Sequence, residues 1–111
     1  MSQLDVGTLA SQMLEAALPI LKKGAQEAES FAKTEFTKIA HTIVAIGEQV
    51  ATGQISQQQA GLLLDMQKSA SRTVLLTLEG LALLAVEEAI NAALDVIKGV
   101  VNTALKFPLI P

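Results

Sequence analysis

No proline falls between Pro19 and Pro108, and within that span apolar residues recur at steps of three and four. Ala28, Ala32, Phe36, Ile39, Ile43, Ile46 and Val50 form the clearest run. A period near 3.6 places these side chains on one face of a helix, whereas a strand would need strict alternation. Glu29 and Lys33 stand at i,i+4 in the favoured order. The pattern predicts an all-α chain with a helix over 25–51, ended by Gly53.

The punctuation on either side of this helix is legible. Ser56-Gln57-Gln58-Gln59 is a capping box: the Ser56 hydroxyl accepts the Gln59 backbone N–H, and the Gln59 side chain reaches back to the Ser56 N–H. Ile55, just before the cap, is placed to staple onto Ala60. A tight turn over 52–55 therefore leads into a new helix at Gln57. Its pattern stays helical to about residue 106, a length of roughly 75 Å at 1.5 Å per residue. Gly61, Gly80 and Gly99 weaken it, and a bend is expected near Gly80. The tail Phe107-Pro108-Leu109-Ile110-Pro111 stops the helix and is read either as tucked against the bundle or as an apolar docking peptide. Upstream, Lys22-Lys23-Gly24 reads as a helix end. Pro19 predicts a kink or break in a helix over about 4–23. The expected architecture is one helical domain over 1–111, a long antiparallel hairpin of 25–51 against 57–106 preceded by a Pro-kinked helix, assembling into an oligomeric bundle.

A sharp turn at 52–55 sets the hairpin register, with opposed residue numbers adding to ~107. Glu35 then faces Arg72 as a cross-hairpin pair, and His41 lies near Met66. On the wheel of the second half, Thr73, Thr77, Glu88, Asn91, Asp95, Lys98 and Asn102 make a narrow polar stripe. Ala, Leu, Val and Ile cover most of the rest. A hairpin partner covers one face only, and each large aliphatic left in water forgoes ~1.5–3 kcal/mol of burial. Leu76, Leu83, Leu84, Val86, Ile90, Leu94 and Ile97 are the expected interface residues, with other copies or other protein subunits as partners. Glu79 lies within the apolar arc and is a candidate buried charge, to be paired or protonated.

Composition narrows the function classes. The 111 residues contain no cysteine, so thiol catalysis, zinc-thiolate sites and disulfides are out. The net charge is −3, and the eight basic residues are dispersed, so no nucleic-acid footprint is present. Glu87-Glu88 invites a metal, but the Glu-x-x-His pattern of di-iron bundles is absent around the single histidine, His41. Ser69 and Ser71 lack a nucleophile elbow, and no phosphate loop surrounds the glycines. We expect no enzyme, no catalytic residue, no cofactor and no metal. The most apolar stretch, 74–101, is interrupted by Glu79, Glu87, Glu88, Asp95 and Lys98, so no membrane span is expected. No signal peptide is read at the N-terminus, which favours an intracellular or within-assembly location over secretion. The leading expectation is a structural or assembly protein, such as a virion, secretion or scaffold component. The alternative is a helical protein lying on a membrane, lipid or granule surface, against which the weak cationic face stands.

Overall fold

A computed structural model describes residues 4–21, 28–78 and 80–111. Those residues form four helices and no strand: α1 (Val6–Leu21), α2 (Ala28–Ala51), α3 (Gln57–Leu76) and α4 (Leu83–Leu105). The all-α expectation holds. The single helix over 57–106 does not, since α3 and α4 are separate. A helix of that length needs roughly 75 Å, whereas the molecule measures 42 × 22 × 19 Å.

The reason for the break is local. Gly80 adopts φ 92°, a left-handed conformation open to glycine. The Thr77 hydroxyl and backbone N–H both donate to the Val74 carbonyl, at 2.6 and 3.1 Å, tightening the last turn of α3. Leu78 then buries its side chain in the core and anchors the connection.

The other boundaries follow their sequence signals. The Ser56 cap is present with both bonds, Gln59 N–H to Ser56 Oγ at 3.0 Å and Ser56 N–H to Gln59 Oε1 at 2.8 Å. Before it, Gln54 N–H donates to the Gln49 carbonyl and Gly53 N–H to the Val50 carbonyl. With Gly53 at φ 75°, this is a Schellman closure of α2. At the start of α1, the Asp5 carboxylate accepts the Thr8 N–H at 2.8 Å and the Thr8 hydroxyl at 2.9 Å. Helix α1 continues past Pro19 to Leu21 without a break. The proline forgoes only one donation near the helix end. Lys22, Lys23 and Gly24 lie outside the described residues.

The helices pack in a ring. Helix α1 folds back extensively against both α4 and α2, α2 packs on α3, α3 meets α4 only thinly, and α2 and α4 barely touch across the ring. Inward faces come from helical spacing: Leu9, Met13, Ala17 and Leu21 on α1, and Ala32, Phe36, Ile39, Ile43 and Ile46 on α2. Helix α4 adds Val86, Ala89, Ile90, Ala93, Leu94, Ile97 and Val101. Helix α3 contributes least, burying Ala60, Leu64, Ser71 and Leu75. Gly47 lets Leu105 close in, since a Cβ there would sit 2.5 Å from Leu105 Cδ2.

The tail belongs to this core. Lys106 takes φ 66° and donates its N–H to the Asn102 carbonyl at 2.9 Å, ending α4 with a left-handed cap. Phe107, Leu109 and Ile110 are buried beyond it. The Asn102 side chain grips the returning tail with both amide atoms: Nδ2 donates to the Ile110 carbonyl at 2.8 Å, and Oδ1 accepts the Ile110 N–H at 3.0 Å.

Candidate interaction surface

The fold-back of α1 decides which apolar residues remain outside. Of the seven expected interface residues, Val86, Ile90, Leu94 and Ile97 lie inside the chain's own core. The wheel of α4 was apolar on too many sides to tell an internal face from an external one. Leu76, Leu83 and Leu84 are exposed and flank the connection between α3 and α4.

Sequence reasoning missed a second exposed set, on the outside of α3. Leu62 and Met66 are 64% and 68% exposed. With Ser69, Thr73 and Leu76, also exposed, they recur at steps of four, three, four and three. A repeat averaging 3.5 is the spacing of a coiled-coil seam. Leu64 and Ser71, which point into the core, lie on the opposite side of the same helix. The signal was present in the sequence but diluted by Ser69 and Thr73.

The expected Glu35–Arg72 pair does not form. The observed hairpin register differs from the expected one by about two residues. The Thr42 hydroxyl faces Gln67 Oε1 at 3.4 Å, where the sharper turn would place Asp65. Glu35 consequently lies beside Val74. It is buried and pairs instead with Lys38 one turn along its own helix, at 3.1 Å. His41 is exposed, while Met66 borders Thr42 and Ala45. Glu79 lies outside the described residues.

Arg72 has another partner. Its Nη1 lies 3.6 Å from Glu87 Oε1, across the thinly packed seam between α3 and α4. That distance is long for a charge-assisted bond, which closes to about 2.7–2.9 Å. Asp65, Lys68, Ser69, Arg72, Glu87, Ile90 and Asn91 line a cleft of about 360 Å³ along this seam. Two cations face two carboxylates there, so the cleft carries no net charge. Lys68 approaches Asp65 only to 4.0 Å, and Asp65 is 71% exposed.

The remaining candidates are solitary. Ser71 is fully buried and accepts a bond from Gln67 Nε2 at 3.1 Å. Ser69 is exposed. Glu88 is exposed beside the half-buried Glu87. Among the described residues, no group of three or more His, Asp or Glu side chains is placed to hold a metal ion. Among them, too, no helix is long and apolar enough to cross a membrane. No protein-family model matches the chain, and neither a curated protein nor a solved structure matches it.

Proposed function

We propose that this is a non-catalytic structural or assembly protein, acting through apolar helix faces that join copies of the chain or bind it into a larger complex. What carries the reading is one observation. A chain with a well-filled internal core still leaves Leu62, Met66 and Leu84 about two-thirds exposed. Single surface aliphatics are ordinary, but a periodic row on one helix marks an interaction site. The row on α3 and the Leu83–Leu84 corner of α4 replace the buried part of α4 as the contacting surface.

The test is substitution on that surface. Met66→Glu and Leu84→Glu should each move the sedimentation profile toward smaller species while the far-UV circular dichroism of the helices stays unchanged. Profiles identical to the parent protein would overturn the reading. So would wild-type chain that sediments as a monomer but floats with liposomes, because the apolar faces would then serve lipid.

A further inference from the structure

We infer that the partner of α3 is the α3 helix of a second copy, running antiparallel across a two-fold axis that passes between Gln67 and Lys68. The inference rests on the self-association reading and specifies its geometry. The stripe Leu62, Met66, Ser69, Thr73, Leu76 occupies the two seam positions of a heptad. Antiparallel packing opposes the two kinds of seam position. Leu62 then meets Thr73 of the second copy, and Met66 meets Ser69. Each large side chain of the first half is set against a small one of the second, on both sides of the axis. A parallel pair would stack Leu on Leu and Ser on Ser, leaving the small pairs apart.

Charge selects the same arrangement. Asp65 and Arg72 stand seven residues apart, on one edge of the stripe. In an antiparallel pair, like edges face each other, so Asp65 of each copy meets Arg72 of the other and two ion pairs form. In a parallel pair that edge faces Leu63, Ala70 and Thr77 on the opposite edge, and no ion pair forms. Both groups are available: Asp65 is largely exposed, with Lys68 no nearer than 4.0 Å, and Arg72 is held loosely by Glu87 at 3.6 Å. An isologous contact of this kind closes on itself as a dimer.

The experiment uses charge reversal together with disulfide trapping. In sedimentation at fixed salt, Asp65→Arg and Arg72→Asp should each weaken the dimer about tenfold, since two symmetric pairs turn repulsive. The double variant should recover wild-type association. Asp65 is exposed, so its reversal leaves the fold intact, and circular dichroism verifies this for each variant. The chain has no native cysteine, so single-cysteine copies are unambiguous. A mixture of Leu62→Cys and Thr73→Cys copies should cross-link on mild oxidation, while Leu62→Cys alone should not. An oligomeric wild type without charge rescue or mixed cross-linking would overturn the antiparallel α3 seam and leave self-association standing. Cross-linking of Leu62→Cys with itself would overturn it in favour of a parallel pair. A monomeric wild type would overturn both.

Discussion

Asn102→Ala should destabilise the fold by about 2–3 kcal/mol. The side chain makes two bonds to the Ile110 backbone, at 2.8 and 3.0 Å, each contributing about 1 kcal/mol net. Ile110 is only 2% exposed, so its freed N–H and carbonyl find little water, which adds a desolvation cost of the same order. For a chain of this size the midpoint of thermal unfolding should fall by about 10–20 °C. Asn102→Asp should be no milder than alanine: the carboxylate still accepts the Ile110 N–H but sets negative charge against its carbonyl. Removing residues 107–111 should cost more than either, because Phe107, Leu109 and Ile110 each bury an apolar side chain worth about 1.5–3 kcal/mol as an upper bound. Urea unfolding followed by far-UV circular dichroism reads all three, at one protein concentration so that association does not enter. If Asn102→Ala and the truncation both fall within about 0.5 kcal/mol of wild type, the tail is not part of the core.

Further outcomes follow from the same structure. Ile90→Glu, which places a charge in the core, should cost about 4 kcal/mol or more, whereas the exposed Leu83→Glu should stay within about 0.5 kcal/mol of wild type. Urea unfolding compares them, and equal effects would contradict their placement. A Cβ on Gly99 meets nothing within 4 Å, so Gly99→Ala should stabilise α4 by about 0.5–1 kcal/mol. Gly80→Ala, at φ 92°, should cost about 1–2 kcal/mol; thermal melts of the pair would refute the argument if the signs agreed. Thr8 holds the Asp5 carboxyl below its ordinary value of 3.8, first through its backbone N–H and then through its hydroxyl. The cap therefore stabilises α1 fully above that ordinary value and is lost as pH falls through the lowered folded one. An NMR titration should place the Asp5 midpoint below 3.8 and raise it part-way in Thr8→Ala; an Asp5 midpoint at or above 3.8 would contradict the cap.

The parts of the fold legible in the sequence are those encoded within a few residues. The Ser56 capping box and the Gly53 stop each reside in one turn of chain, the α2 stripe repeats at steps of three and four within one helix, and each appears in the structure. What depends on distant contacts was not legible. Gly80 marked a bend, but Leu78 and Leu81 continue the helical spacing, and the burial of Leu78 in the tertiary core, which helps make the bend a full break, was not legible. The Asn102–Ile110 clamp spans eight residues and exists only because Lys106 turns left-handed. The same holds for the surface. Val86, Ile90, Leu94 and Ile97 look like a contact seam until α1 is seen to fold back, while Leu62 and Met66 on α3 draw no notice until Leu64 and Ser71 fix which side faces inward.

Self-association is tested by the absolute mass of the chain in detergent-free solution, measured by light scattering behind a sizing column over a wide concentration range. A discrete multiple of 11.7 kDa is expected, with twice that mass as the smallest assembled species. A single monomeric mass at every concentration would contradict self-association and with it the α3 seam.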